Sequence, residues 1–469
     1  MRRRNPLLLT LATGFGLSLP APSLGGGFYL GCGNGSESLG MGGAFVAAGI
    51  DASAVWHNPA NLTDLSNGFH FSTDLTGIMA EHTFFRDPNS HIEFTPPNGD
   101  EFPFGLDPST PGNYEYRLAE NIHGPLFIPS FSAVQVMDDW AFGAAFWTPY
   151  QGRMRYDAQG STRYNCVYNN TIMYYVGGTV AWAPTSWLRL GGGVQAVHFL
   201  LGQDVHGFTP PFSLIGADTR LRLTSSGLTS KFNAGLTLLP NDRWRIGMSY
   251  RSHFSVEDDA TIYVDLPDEM NSLGYRSRGN AGRFLMKFPG GLDAGVAFKA
   301  NESVWLEADL AFEPWSRVDS LVIEADSIMI DVPDDMGEDI VAFDRFGNPF
   351  LMHDIFSFHV GGRYEPEGSR YQWRAGAFYE QSASPTKTYS VAYPDSDRLG
   401  ISGGLSFQLG PQWWLNVSAL HIIQKEVLVE DSVLRPPLTG PSWVQMSQSA
   451  NGLYKSSYSM ISMGLRLGT

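Results

Sequence analysis

Apolar and polar residues alternate with a period of two along most of this chain, from about residue 68 to the C-terminus. About fourteen such segments can be counted, each of around ten residues or more, which is typical of strands with one apolar face. We predict strands over 68–76, 129–137, 139–149, 171–183, 186–200, 221–239, 242–258, 282–300, 303–315, 351–365, 370–381, 397–410, 412–427 and 455–468.

The connections between these segments alternate between short turns and long loops. Residues 137–139 and 409–412 are short connections, whereas 77–128, 201–220 and 316–350 are long ones. Outer-membrane barrels have short turns on the periplasmic side and longer loops outside, and a soluble sandwich has no reason to sort its loops in this way. The pattern predicts an all-β fold, a transmembrane antiparallel β-barrel of about 14 strands.

The two faces of single strands fit the same fold. In 243–251 the apolar residues are Trp244, Ile246, Met248 and Tyr250, and polar or small residues occupy the positions between them. Many strands with one apolar face predict a lipid-facing exterior and a polar lumen. Aromatic residues that fall near strand ends, where a membrane girdle belongs, are Trp140, Trp187, Trp413, Trp414 and Tyr371.

The N-terminal residues do not alternate and fall into two parts. Three arginines at 2–4 precede an apolar run over 7–19 and a small-residue region, so residues 1–25 are predicted to be a signal peptide for export. Residues 26–66 have almost no charge and are rich in small side chains, so they cannot close a core alone. We predict that 26–66 is a hatch that plugs the lumen of a barrel formed by 67–469.

Composition narrows the function classes. Charged residues make up only 17% of the chain, the net charge is −16, and no apolar run after the leader approaches eighteen residues. An acidic exported protein is a poor nucleic-acid binder. The exported compartment permits a disulfide between Cys32 and Cys166, although two unpaired buried cysteines fit the sequence equally well.

Several short motifs, in order along the chain, resemble the FadL-type family of long-chain fatty-acid outer-membrane transporters. They are LGMGGAF at 39–45, Asn58-Pro59-Ala60, FPGGLDAGVAF at 288–298 and RAGAFY at 374–379. The resemblance implies fourteen strands with an N-terminal hatch in the lumen, and passive uptake of hydrophobic compounds with lateral exit into the membrane. Long-chain fatty acids are the expected cargo, and aromatic hydrocarbons, which some members of the family carry, are the alternative.

The sequence departs from the family pattern in two places. The chain ends GLRLGT at 464–469, without the terminal aromatic residue of many outer-membrane barrels. The first long loop, 77–128, is enlarged, whereas the family builds its outer ligand groove mainly from the third and fourth loops. Which loops capture ligand here is therefore left open.

Two candidate sites follow from the resemblance, each with a plainer alternative. Asn58, Pro59 and Ala60 would anchor the hatch to the wall and take part in opening it, or they are an ordinary turn that ends the plug. Gly143 would mark the inward kink of the third strand that opens the wall sideways in the family. The alternative is that its small size permits contact with the plug.

A fatty acid needs an apolar tunnel for its tail and a cation for its carboxylate. By strand parity the lumen-facing arginines are Arg189, Arg245, Arg251, Arg374 and Arg398. The lumen also carries acids, namely Asp293, Glu307, Asp309 and Glu380, so structural charge ladders are the alternative role of these arginines. Candidates for contact with the tail are Phe45, Val46 and Ile50 of the hatch.

Signals for enzymes, cofactors and metals are weak, so we expect none of the three. The Gly-x-Ser-x-Gly match at 400–404 lies inside an alternating strand, and the histidines lack metal-site spacing. The acidic loop over 331–339 could meet divalent cations or be a solvated loop. Hydrolysis of lipids at Ser402 and a general aqueous porin stay open as other functions.

The expected partners are a hydrophobic ligand and outer-membrane lipid, and the expected state is a monomer.

Overall fold

In a computed structural model, which describes residues 35–49, 51–87, 118–207, 209, 217–333, 340–435 and 449–468, the chain forms one closed antiparallel barrel of 14 strands. The predicted fold class is confirmed. Each strand pairs with its neighbours in sequence. The strands are β1 (Gly68–Arg86), β2 (Leu126–Met137), β3 (Trp140–Trp147 and Gln151–Arg155), β4 (Tyr168–Thr185), β5 (Leu188–Gly207), β6 (Thr219–Asn241), β7 (Trp244–Arg251 and Phe254–Asp265), β8 (Ala281–Phe288 and Gly291–Asn301), β9 (Val304–Glu313 and Ser320–Asp331), β10 (Ile340–Pro349 and Ile355–Tyr364), β11 (Tyr371–Glu380), β12 (Arg398–Gln408), β13 (Trp413–Gln424) and β14 (Gly452–Leu467).

The barrel closes where the first strand meets the last. β1 pairs with β14 from Phe71 opposite Leu467 to Arg86 opposite Gly452, and with β2 on its other edge. Because each of the described strands has two neighbours, the ring closes on itself, which is the condition for crossing a bilayer with strands. Short strands extend the ladders at Ala119–Glu120, Arg276–Arg278 and Val427–Val429.

Several strands run further than the sequence predicts, namely β1, β5, β7, β9 and β10. The predicted loop 316–350 contains a hairpin of Ser320–Asp331 and Ile340–Pro349. In β7, whose predicted end is residue 258, Asp259 and Asp265 are exposed on the outward face, whereas Ile262 and Val264 are buried on the inward face. The polarity of the two faces therefore reverses beyond the lipid, and a search for one constant apolar face ends the strand too early.

The predicted exterior is apolar as expected. Trp244, Ile246, Met248 and Tyr250 are exposed, while the side chains between them point into the lumen. The girdle residues Trp140, Trp187, Trp413 and Tyr371 are exposed at or beside the short turns, and Trp414 is partly exposed. These rings lie where aromatic side chains meet a membrane interface.

The residues before β1 lie inside the barrel. We call residues 35–49 and 51–66 the N-terminal segment; they contain α1 (Ser36–Gly40), α2 (Ala54–His57) and a 3₁₀ helix (Pro59–Asp64). α1 contacts β11 to β14, whereas the 3₁₀ helix contacts β2 to β6. Residues 1–34 and 50, including the predicted signal peptide, Cys32 and Ile50, lie outside the described residues.

A second core fills the outer end of the lumen. It is formed by the inward faces of the extended β5 to β9 and by α3 (Asp268–Ser272), whose Met270 is buried. Phe199 stacks on Phe284 there, with ring centroids 5.0 Å apart.

No helix among the described residues is long and apolar enough to cross a membrane.

Candidate functional site

Buried ion pairs fix the N-terminal segment to the wall. Glu37 accepts from Arg374 at 2.9 Å and from Arg466 at 3.0 Å, and Arg374 is buried. Asp64 pairs with Arg189 at 2.7 Å and also with Arg245. Breaking a buried pair by removing one partner usually costs several kcal/mol, roughly 3–5. Four arginines of the wall thus neutralise two acids of the segment.

Two wall carboxylates hold the same segment through its backbone. Asp309 accepts from the N–H groups of Phe45 at 2.8 Å and Val46 at 3.1 Å. Glu307, two residues earlier on β9, accepts from Ala47 at 2.5 Å and Ala48 at 3.2 Å. Successive backbone N–H groups form a concave site for an anion, so the turn over 45–48 is bound by these two acids.

The Asn-Pro-Ala motif joins the segment to β6. The Asn58 amide donates to Val46 O at 2.8 Å and to Thr237 Oγ1 at 3.0 Å, and its oxygen accepts from Ala60 N at 3.2 Å. Asn58 therefore caps the 3₁₀ helix and bridges to the wall. A Cβ on Gly235 would lie 2.1 Å from Asn58 Oδ1, so only glycine permits this approach.

The segment also contains a buried acid, Asp51, which has no cation at hydrogen-bond distance among the described residues. Asp51 accepts from Ser53 N at 2.7 Å, and burial, with the nearby charge of Glu37, raises its pKa to about 7. The carboxyl group is thus partly protonated near neutral pH.

A cavity lies between the N-terminal segment and the wall. The residues that line it include Val46, Trp56, Trp147, Tyr175 and Lys231. Trp56 of the segment stacks on Trp147 of β3, with ring centroids 5.4 Å apart. Most of its other lining residues are polar or charged, among them Arg251, Asp293, Glu313 and Glu380, so the cavity has an aromatic side and a charged side. Ligand pockets combine apolar surface with placed polar groups in this way.

Lys231 is the unusual polar group of this cavity. It is 8% exposed, and its amine lies 5.2 Å from the ring centre of Tyr175 and 5.5 Å from that of Phe254. Within the described chain its amine has no hydrogen bond or ion pair, in contrast to Arg251, which binds Asp293 at 2.5 Å. Asp293 and Glu313, which line the same cavity, are bound by Arg251. A buried cation without an ion pair of its own is costly, so an anionic ligand group would be stabilised at the Lys231 amine.

The wall beside this cavity is interrupted in β3. The strand breaks at 148–150, which contains Pro149, and its second segment pairs with β4 but not with β2. Residues 126–130 of β2 consequently pair only with β1 on one edge, within the part of the chain that is described. The wall gap between β2 and β3, residues 126–130 and 148–154, is bridged at its outer end by Ile122 N donating to Arg155 O at 2.8 Å.

The other predicted ligand residues lie as follows. Val46 lines the cavity, and Phe45 contacts the His57 ring edge to face at 5.1 Å. Arg398 forms two bonds of 2.8 Å with Glu380, a ladder between neighbouring strands. Arg189, Arg245 and Arg374 instead reach acids of the N-terminal segment, which are distant in sequence.

Gly143 lies in regular pairing, opposite Val134 and Thr179, and the break in β3 comes five residues later. A Cβ at Gly143 would lie 2.9 Å from Val55 Cγ2, so the glycine allows the segment to touch the wall. The plainer alternative therefore matches its surroundings, and Pro149 was the sequence signal for the break.

Lys231 is absent from the predicted ligand residues, although the alternation of residues in β6 would place it on the lumen-facing side of the strand. It shares its face of β6 with Asn233 and Thr237, both buried in the lumen. The arginines were the predicted carboxylate ligands because a guanidinium binds a carboxylate bidentately, and the sequence does not tell which cation lacks a counterion.

The described residues hold no group of three or more metal-binding side chains. Ser402 lies within β12 and its hydroxyl donates to Gly40 O at 3.2 Å, so it contacts the N-terminal segment. Of the acidic loop, Asp331 pairs with Arg278 at 2.8 Å, and 334–339 lie outside the described residues.

A family model described as outer membrane protein transport protein (OMPP1/FadL/TodX) matches residues 24–456. A curated relative, the long-chain fatty acid transport protein of Escherichia coli O6:H1 (strain CFT073), is 23% identical over 206 residues. That match spans 42% of this chain and 42% of the relative, which is less than half of its length.

Solved structures share the fold over nearly the whole chain. A Pseudomonas aeruginosa FadL homologue is 18% identical, with a TM-score of 0.72, covering 94% of this chain and 100% of that one. The toluene transporter TodX of P. putida is 17% identical, with a TM-score of 0.63, covering 94% and 99%. The Ralstonia pickettii toluene transporter TbuX is 17% identical, with a TM-score of 0.61, covering 93% and 99%.

Proposed function

Because the chain belongs to the outer membrane protein transport family (OMPP1/FadL/TodX), and thus to the bacterial outer membrane, we propose that it takes up long-chain fatty acids by passive diffusion. The observation that carries this choice of cargo is Lys231. A toluene-sized hydrocarbon offers a buried amine only the face of a further ring, whereas a carboxylate supplies an ion pair.

The proposed route uses the regions described above. Cargo enters through the apolar outer core and places its carboxylate at Lys231, with its tail against Val46 and the Trp56–Trp147 pair. The N-terminal segment acts as the hatch, 26–66, and moves to open the wall gap between β2 and β3. Lateral exit suits a ligand whose apolar tail makes a water-filled outlet unfavourable.

The arginine candidates have a different role in this proposal. Arg189, Arg245 and Arg374 hold the hatch, and Arg398 holds a wall ladder, because each already has a carboxylate partner. A guanidinium engaged in this way has little to offer a further anion.

We propose that the protein acts as a monomer, since the lipid-facing apolar parity continues around the barrel.

The test compares Lys231→Met, which removes the charge at similar size, with Lys231→Arg, which keeps it. Oleate binding to purified protein and oleate uptake by cells should fall about tenfold or more in Lys231→Met and be partly retained in Lys231→Arg. Lys287→Met, at an exposed pair with Asp319, is the matched control. Unchanged oleate binding in Lys231→Met would contradict the proposal.

An aromatic hydrocarbon is the second candidate cargo, favoured by the Trp56, Trp147 and Tyr175 rings in the cavity. The same cells report on it directly. Toluene uptake above that of cells without the protein, together with no uptake of oleate, would establish the second candidate in place of the first. Large steady ion conductance in planar bilayers would instead indicate a general porin.

A further inference from the structure

A second cavity lies against the wall gap, on the outer side of the break in β3. Its lining is mostly apolar and includes Ile78, Leu126, Met154 and Tyr458. On the outside of β2, next to the gap, Phe127 is 63% exposed on the lipid-facing parity. The cavity therefore lies between the lumen and the membrane.

One polar side chain of this cavity has no partner. Gln151, the first residue after the break in β3, is 6% exposed, and neither its amide nitrogen nor its amide oxygen has a hydrogen bond in the described structure. Buried polar groups are nearly always hydrogen-bonded, and leaving one unsatisfied carries the full cost of its desolvation. An unpaired amide that lines a cavity therefore indicates a ligand group that both accepts and donates.

Two guanidinium groups line this cavity, and each has a hydrogen-bond partner, which is a neutral amide for Arg153 and a carboxylate for Arg398. Arg153 Nε donates to Asn170 Oδ1 at 2.8 Å, and Arg398 is held by Glu380. The inner cavity offers the amine of Lys231, whereas this one offers a neutral amide. The two sites thus differ in the charge state of the group that they would bind best.

We propose that Gln151 binds the head group of the cargo in its neutral form, as the protonated carboxyl, during exit through the wall gap. The amide N–H donates to the carbonyl oxygen of the acid, and the O–H of the acid donates to the amide oxygen. The proton comes from water: the carboxylate and a hydronium ion give the carboxylic acid and water. This inference rests on the proposed function.

The physical reason is the cost of charge in hydrocarbon. Near neutral pH, protonating a carboxylate requires much less free energy than moving it unpaired into the bilayer. Lys231 favours the ionised form on the lumen side, and the amide of Gln151 favours the neutral form beside the lipid. The cargo then leaves the wall in the form that the membrane accepts.

The experiment replaces Gln151 by Leu, which keeps the size and removes both hydrogen-bonding groups. Gln135→Leu, at an exposed glutamine of β2, is the control. Oleate and oleyl alcohol uptake by cells should each fall about tenfold in Gln151→Leu, because both head groups are neutral hydrogen-bonding groups when they exit. Toluene uptake, where present, and oleate binding to purified protein should stay within twofold.

A charged variant tests the protonation state. Gln151→Lys should lower oleate uptake at least as much as Gln151→Leu, since an amine offers no acceptor to a neutral acid. Faster oleate uptake in Gln151→Lys, or unchanged uptake of both cargoes in Gln151→Leu, would overturn the inference. Wild-type cells that take up no more oleate than cells without the protein would remove the proposed function, and this inference with it.

Discussion

The N-terminal segment meets the wall through two faces of opposite chemistry. Toward β5 to β14 it is bound by ion pairs and by carboxylates that accept backbone N–H groups, as at Glu37 and Asp309. Toward β3 and β4 the contacts are apolar: Val55 lies against Gly143, and Trp56 stacks on Trp147. Directional polar contacts fix one geometry, whereas apolar contacts can be exchanged for those of an apolar cargo. The segment should therefore separate from the wall at its apolar face, next to the wall gap.

The largest expected effect comes from breaking the polar face. Glu37→Gln leaves the buried guanidinium of Arg374 without its carboxylate, so the free energy of unfolding should fall by roughly 3–5 kcal/mol. The loss of stability is measured by heating the purified barrel to a series of temperatures before gel electrophoresis. The folded barrel migrates as a compact species, and the temperature at which this species disappears is compared between the variants. Glu302→Gln, at an exposed pair with Lys299, should leave that temperature unchanged. Equal temperatures for wild type and Glu37→Gln would mean that the polar face is not what anchors the segment.

Tethering each face separately sharpens the comparison. A disulfide between Val55→Cys and Gly143→Cys, which lie in contact at the apolar face, should lower oleate uptake at least tenfold, with recovery on reduction. The tether at the polar face is Ala44→Cys with Gly361→Cys, where the Cβ positions are 3.2 Å apart, and closing it should change uptake less than twofold relative to the same variant when reduced. Comparison with the reduced variant is needed because a Cβ at Gly361 would lie 2.5 Å from Met41 O. Both pairs are placed in a background without Cys32 and Cys166. The reverse pattern would show that the polar face is the one that opens.

The smallest expected effect concerns Asp51, whose raised pKa of about 7 means that the folded protein favours its neutral form. The folded protein binds the proton of Asp51 more tightly than the unfolded chain does. The stability that this proton contributes is fully present below about pH 4 and is lost as the pH rises to about 7. Asp51→Asn should therefore stabilise the barrel at about pH 8 by about 1 kcal/mol and have little effect at about pH 4. The gel-mobility temperature at the two pH values checks this, and a larger gain in acid would contradict the assigned direction.

The sequence was sufficient to predict the barrel, whereas the pairing of the lumen charges needed the structure. The strands can be predicted from the local alternation of apolar and polar residues, as in Trp244 to Tyr250. The reason is that contact with lipid favours an apolar outward face in every strand. The site depends on which charges are left over after pairing. Arg374 and Lys231 are both lumen-facing cations by parity, yet in the described structure Arg374 pairs with Glu37 and the Lys231 amine lies over aromatic rings.

By itself, the chain determined a closed barrel of about fourteen strands, its oily exterior, and a small neutral segment that needs enclosure, since these follow from period, loop length and composition. Tertiary structure alone decided where β3 breaks and which wall acids hold the segment. It also decided that, among the described residues, the Gln151 amide has no hydrogen bond and the Lys231 amine contacts aromatic rings instead of a carboxylate. The reason is that hydrogen bonds and ion pairs are satisfied between residues far apart in sequence, and only the closed ring brings those residues together.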